Sequence, residues 1–246
     1  MIDLSSFPVI NMLSDCYRPR LLKKASDDGS LSVSNSFKVE LGLILNASGS
    51  AYLELGSTKV ICSVHGPHVS QRKSTFSNMG HLDCDLRYSS VSGIGDGDGV
   101  PPHTVVDAVQ GSILLEKYSK SVISLNIVVL ETAGHELAAI INCASLALAN
   151  ASIEMRDLVC ASAVGTSENG VSIFPSVPDD TPCQSSAIVA TIPTLNQVTQ
   201  IVLDGKHDVV VVAEMIQRCV LANKELRDEF RQVLIENIQC GNSSTK

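Results

Sequence analysis

The chain has 246 residues, of which 44% are hydrophobic and 18% are charged, and its formal net charge is −8. This balance predicts a folded globular protein and argues against a free-standing nucleic-acid binder, because neutralising a phosphate backbone requires clustered Lys and Arg. The sequence contains no run of about 18 apolar residues and no basic segment leading into a long apolar stretch, so we predict neither a membrane-spanning helix nor a signal peptide.

The first 36 residues are rich in Ser, Asp and Lys, and we interpret them as an arm that docks rather than as a core element. Three short β-rich segments follow, at 38–45, 51–55 and 59–64. Their separation by Gly-Ser turns predicts an antiparallel meander, which we expect Gly66-Pro67 to end. A polar, basic loop comes next, containing Arg72 and Lys73.

The middle of the chain alternates between strand-like and helix-like patterns. A strand is predicted at 82–88, and a Gly- and Pro-rich surface loop at 92–102. Apolar residues at helical spacing predict a helix at 103–118, followed by a buried strand at 121–130. Residues 135–152 are nearly all Ala, Ile, Leu, Asn and Cys, which predicts a helix buried on most sides.

The second half repeats this theme. Strands are predicted at 158–163, 171–174, 187–192 and 197–203. A final helix from 207 to about 240 begins apolar and becomes charged, so we expect its first half to pack and its second half to be solvated or docked. The whole pattern predicts an α+β fold with one domain at 37–240 and a disordered tail at 241–246.

Eight cysteines are spread along the chain, and no two have the C-x-x-C spacing of a zinc site. Five of them lie in apolar stretches, where Cys behaves as a small buried hydrophobe. This usage is typical of a reducing compartment, and we predict no metal site and no cofactor.

Three segments together resemble the RNase PH family, which contains phosphorolytic exoribonucleases and exosome ring subunits. The first is FKVELGLILNASGSAYLELGSTKVICSVHGP at 37–67, the second spans 129–165, and the third is AIVATIPTLNQVTQIVLDG at 187–205. They occur in the family's order with little gapping over about 37–240. Within the family, the Ile-Pro-Thr-Leu-Asn-Gln-Val run is most similar to the exosome subunits named as mRNA-transport regulators.

The resemblance implies the RNase PH fold (ribosomal protein S5 domain 2-like), with two β-α-β type halves and mixed sheets packed on helices. It also implies a hexameric ring with other RNase PH-like exosome subunits around a channel for single-stranded RNA. Further implied partners are cap subunits with S1 and KH RNA-binding folds and an associated hydrolytic nuclease. The implied location is the nucleus, nucleolus and cytoplasm.

The residues that bind phosphate in active family members are replaced in this chain. Their Gly-Thr-Arg triplet at the start of the buried helix matches His135-Glu136-Leu137 here. Leucine has no donor, and a glutamate about 4 Å from an anion is repulsive by roughly 1–4 kcal/mol. The loop that supplies a second phosphate arginine reads Gly-Asp-Gly-Asp-Gly at 95–99. These departures predict a subunit without catalytic activity.

The acids of active members are also mostly missing. By register Asp180 survives, whereas the other expected acids fall on Phe174 and Ser186, so we predict a degenerate metal site. We expect Glu136 to lie at a solvated helix N-terminus, where it favours the helix dipole; the alternative is an acid–base pair with His135. Asp180 lies in a predicted turn, the alternative being a remnant metal ligand.

Two basic clusters are candidates for contact with RNA. In the family the loop after Gly-Pro lines the narrow part of the channel, so Arg72 and Lys73 either contact RNA phosphates without reading sequence or belong to an ordinary solvated loop. The other cluster lies in the arm, at Arg18, Arg20, Lys23 and Lys24. Docking onto a neighbouring subunit and RNA contact are the two interpretations of that cluster.

We therefore expect a non-catalytic structural subunit of the exosome ring that supports 3′–5′ RNA processing and degradation. Two alternatives remain at this point. One is an active phosphorolytic 3′–5′ exoribonuclease, and the other is a binding module that uses the same fold outside any ring.

Overall fold

The computed structural model describes residues 37–69, 79–89, 99–132, 136–167, 170–173, 185–205 and 209–243. Strands β1 (Phe37–Leu41), β2 (Gly49–Leu55) and β3 (Thr58–Val69) pair antiparallel in chain order, which confirms the predicted meander. The arm at 1–36 and the loop at 70–78 lie outside the described residues.

Strand β3 continues beyond the point where the sequence predicted its end. It passes through a cis Gly66-Pro67 peptide and a register shift between His65 and His68, and it pairs with the next strand as far as Val69. Gly66 has a φ of 119°, and a Cβ atom there would lie 2.7 Å from the carbonyl oxygen of Val122. Glycine permits this close approach, so the Gly-Pro pair bends the strand instead of ending it.

The first sheet is completed by β4 (His81–Tyr88) and β5 (Ser121–Glu131), in the order β1-β2-β3-β5-β4. Strand β4 runs parallel to β5, whereas the other pairs are antiparallel, so this sheet is the expected mixed one. Parallel neighbours need a crossover connection. Helix α1 (Pro102–Gln110) and a 3₁₀ helix (Leu115–Tyr118) lie within it. The predicted single helix at 103–118 was therefore wrong in length, because Gly111 and Ser112 end α1.

Helix α2 (Glu136–Asn150) is the central element of the molecule. Its residues from Glu136 to Leu148 are all buried, which confirms the prediction of a helix buried on most sides. Its polar side chains satisfy backbone groups of both sheets. Asn150 donates to the carbonyl of Ser50 in β2 over 3.2 Å, and Asn142 bonds Ala161 of the second sheet.

The second sheet contains β6 (Cys160–Ser167), β7 (Gly170–Ile173), β8 (Ser185–Ile192) and β9 (Gln197–Gly205). Its order is β7-β6-β8-β9, and every pair is antiparallel. One cluster of buried apolar side chains extends from the first sheet through α2 to this sheet. The predicted α+β class with sheets packed on helices is confirmed.

Helix α3 (Val209–Ser243) packs in its first half as predicted, but its second half also packs against the core instead of being left to solvent or a partner. Val209 and Val210 are 72% and 80% exposed, whereas Val211 is half-buried and packs against the buried cluster that contains Met215 and Cys219. One face along the helix is buried, with Met215, Cys219, Ala222, Leu226 and Phe230 all at 0% exposure. The helix also continues to Ser243, so residues 241–243 of the expected disordered tail are helical. No helix of the described ranges is long and apolar enough to cross a membrane.

Of the five cysteines whose side chains the structure describes, four are buried, and all five are free thiols. Burial raises the pKa of the Cys143 thiol to about 12 and that of Cys219 to about 11. Such thiols stay protonated and chemically inert at neutral pH. Their burial agrees with the prediction that these cysteines act as small apolar residues.

Candidate functional site

The start of α2 is the part of the predicted phosphate site that the structure describes. Glu136 and Leu137 are the first residues of the helix, and their exposures are 1% and 2%. The prediction of a solvated glutamate at this position was therefore wrong. The helix is covered from its first turn, because it lies between two sheets rather than on a surface. His135 lies outside the described residues.

Tyr88 interacts electrostatically with Glu136 at this site, and sequence reasoning missed it. Its hydroxyl accepts a hydrogen bond of 2.8 Å from the backbone N–H of Val100. A Cβ atom at Gly99 would lie 2.1 Å from the Tyr88 ring, so only glycine allows the ring to pack against the backbone there. The available signal was an aromatic residue at the end of a strand that precedes a Gly-rich loop.

The electrostatics of the site are dominated by burial and by the acidic side chain of Glu136. Burial raises the pKa of the Tyr88 phenol to about 12; the Val100 hydrogen bond opposes this shift, and the negative charge of Glu136 adds to it. Glu136 therefore lies near enough to Tyr88 to influence the phenol electrostatically. A carboxylate only accepts hydrogen bonds and leucine has no polar group, so neither side chain at the start of α2 donates to an anion.

The predicted degenerate metal site is described only at Ser186. This residue lies in β8, half-buried, and its backbone pairs with Gly165 of β6 and Asp204 of β9. Phe174 and Asp180 lie outside the described residues. Within the ranges that are described, no three His, Cys, Asp or Glu side chains cluster closely enough to hold a metal ion.

The candidate RNA-binding residues Arg72 and Lys73 also lie outside the described residues, so their contact with RNA stays a prediction. The structure does show where their loop begins. Strand β3 ends at Val69, which is 78% exposed, beside a short turn whose Leu45 is 95% exposed. Ser48 of that turn is tied to Gly66, because its hydroxyl donates to the Gly66 carbonyl over 2.8 Å.

Comparison with known proteins gives a consistent result. Residues 35–154 match the family model described as "3' exoribonuclease family, domain 1". The chain is 33% identical over 201 residues to the exosome complex component RRP41-like of Arabidopsis thaliana, covering 80% of this chain and 78% of that protein. It is 29% identical over 201 residues to the exosome complex component Rrp41 of Cenarchaeum symbiosum, covering 78% of this chain and 81% of that protein.

Solved structures share the fold. The crystal structure of rice (Oryza sativa) Rrp46 superposes with a TM-score of 0.68 at 21% identity, covering 80% of this chain and 94% of that one. A chain of the Archaeoglobus fulgidus exosome with RNA bound to the active site gives 0.64 at 18% identity, covering 79% and 87%. At these identities the likeness concerns the fold, which is the expected RNase PH fold. On the family match and the Arabidopsis relative together, the chain belongs to the 3′ exoribonuclease (RNase PH) family.

Proposed function

We propose that the chain is a non-catalytic subunit of an exosome core ring, where it supports 3′–5′ RNA processing and degradation. The exosome part of this proposal is supported by the relatives, which are named exosome complex components. It is also supported by the fold, which is shared with chains of archaeal exosome cores.

The non-catalytic part depends on one observation: the first two residues of α2 are a buried carboxylate and a buried aliphatic side chain. Active members of the family hold inorganic phosphate with an arginine and backbone donors at this helix end. A phosphate entering here would meet the charge of Glu136, which costs roughly 1–4 kcal/mol at about 4 Å. Leu137 offers no hydrogen bond that offsets this cost.

The proposed partners follow from the ring. They are other RNase PH-like subunits, cap subunits with S1 and KH folds, a hydrolytic nuclease and single-stranded RNA that passes Arg72 and Lys73. The proposed location remains the nucleus, nucleolus and cytoplasm. The finer likeness to mRNA-transport-regulator subunits rests on the Ile-Pro-Thr-Leu-Asn-Gln-Val run, while the relatives above carry the name Rrp41.

The alternative is an active phosphorolytic 3′–5′ exoribonuclease. It is favoured by the A. fulgidus exosome of the same fold, whose structure has RNA bound to an active site, and by the retention of Asp180 at a family acid position.

A phosphorolysis assay separates the two functions. The chain is assembled with its ring partners, and release of nucleoside diphosphates from labelled RNA is measured with and without phosphate. We expect Asp180→Ala in this chain to leave any phosphate-dependent release unchanged. Asp107→Ala, which removes an exposed carboxylate on α1 away from these acid positions, serves as the control. Loss of release with Asp180→Ala alone would favour the enzyme.

A further inference from the structure

A cleft of about 340 Å³ lies between the C-terminal end of α2, the loop that follows it and the second half of α3. Its apolar lining comes from Ala149, Ile153, Met155, Leu158 and Leu234. Asp157, Arg227 and Arg231 complete the lining. Pockets of a few hundred Å³ with an apolar lining and a few charged groups are typical binding sites.

The charged groups of the cleft are not equivalent. Asp157 accepts a hydrogen bond of 3.2 Å from the backbone N–H of Thr194, and its Oδ2 lies 3.3 Å from Nε of Arg227. Arg227 also donates to Asp228 over 3.0 Å, so its single positive charge is shared between two carboxylates. Arg231 is exposed and forms no ion pair with any other residue of the described ranges. Arg231 is therefore the one cation of the cleft lining that is not already paired with a carboxylate within the described ranges.

The chain enters the domain beside this cleft. The rings of Phe37 and Phe230 meet edge to face, with centroids 5.4 Å apart. Phe230 directly precedes Arg231 in α3, and Leu234 lies one helical turn further along. The C-terminal end of the 36-residue arm, which joins Phe37, therefore lies within about one helical turn of the cleft lining.

The end of the arm has the chemistry that this cleft would recognise. It contains Asp27 and Asp28, then Leu31 and Val33, all before the start of β1. At about 3.3 Å per extended residue, Leu31 reaches about 20 Å from Phe37 and Asp28 about 30 Å, which exceeds the distance needed. We propose that the cleft binds residues 27–33 of the same chain, with the aliphatic side chains on its lining and the two carboxylates at Arg231.

Native methionines provide a probe for this docking. Met155 lines the cleft. Met79 lies outside it, just before β4, and is 54% exposed, so it serves as the internal reference. Oxidation of Met155 to the sulfoxide, followed by mass spectrometry of the full chain, reports access to the cleft. We expect deletion of residues 1–33 to speed this oxidation roughly tenfold, which corresponds to about 1.4 kcal/mol of docking free energy. Oxidation of Met79 should not change.

Charge variants test the same docking without deleting the arm. Arg231→Glu should speed the oxidation of Met155 because it repels the two carboxylates, whereas Lys224→Glu, two turns earlier on α3 and outside the cleft, should not. Adding Asp27→Lys and Asp28→Lys to Arg231→Glu should slow the oxidation again.

Two results would overturn the proposal. The first is equal oxidation of Met155 in the full-length and arm-deleted chains. The second is protection of Met155 that appears only after ring partners or a second copy are added, because the cleft would then belong to another chain.

Discussion

The hydrogen bonds of Asn142 predict how much stability the protein loses when this residue is replaced. Strand β7 pairs with β6 only from Val164 to Ser167, so the described structure has no strand beside the earlier part of β6 on that side. The Asn142 side chain takes the place of a strand there. Its Nδ2 donates to the Ala161 carbonyl over 2.8 Å, and its Oδ1 accepts from the Ala161 N–H over 2.7 Å.

Replacing Asn142 by alanine leaves two buried backbone groups of Ala161 without these partners. Each buried group that loses its hydrogen bond costs about 1–3 kcal/mol, so the free energy of unfolding should fall by about 2–6 kcal/mol. This is a large part of a typical total of about 5–15 kcal/mol. Urea unfolding followed by circular dichroism measures the change.

Asn150→Ala is the matched control for this substitution. Asn150 lies on the same helix, is half-buried and makes one bond of 3.2 Å to the Ser50 carbonyl, so we expect a loss of about 1 kcal/mol. If Asn142→Ala proved no more destabilising than Asn150→Ala, the interpretation of Asn142 as a substitute for a strand would be wrong.

Three further experiments test separate parts of the account. Gly49→Ala would put a Cβ atom 2.3 Å from the backbone nitrogen of Ala151, so urea unfolding should show a loss of at least about 1–3 kcal/mol, and an unchanged midpoint would contradict the packing. The folded pKa of Cys143, about 12 against an ordinary 9.0, means that the unfolded thiol loses its proton first as pH rises. The free energy of unfolding should therefore fall between pH 9 and pH 12, by up to about 1.4 kcal/mol per pH unit from this group, and Cys143→Ala should fall less steeply. Changing both Arg72 and Lys73 to Glu should weaken RNA binding by the assembled ring, measured by nuclease protection, while the variant still co-elutes with its partners; unchanged protection would remove both residues from the RNA path.

The helices and strands were predictable where composition and residue spacing were compatible with only one type of secondary structure. Residues 136–150 are almost entirely small or aliphatic with scattered Asn and Ser, and such a helix folds only when covered on most sides. The meander was equally clear, because short β-rich segments alternate with Gly-Ser turns.

The sequence-based predictions were wrong where tertiary packing outweighed a local sequence pattern. A Gly-Pro pair is typical of a strand end, but β3 continues past Gly66-Pro67 and pairs with β5 as far as Val69. The four valines at 209–212 suggested a packed first turn, yet Val209 and Val210 are exposed and the fully buried face of α3 begins at Met215. Glu136 is buried because α2 packs against both sheets, and no local pattern reveals that packing. The cleft beside Arg231 is likewise built from α2, α3 and the loop after α2, so sequence spacing alone did not indicate it.

The most direct test of the central claim is a search for an ordered anion at the start of α2. Crystals of the assembled ring are soaked in selenate, a phosphate mimic whose anomalous scattering locates it. We predict no ion within hydrogen-bonding distance of the first turn of α2 at Glu136 and Leu137. An ordered selenate there would contradict the claim that this subunit has lost its phosphate site.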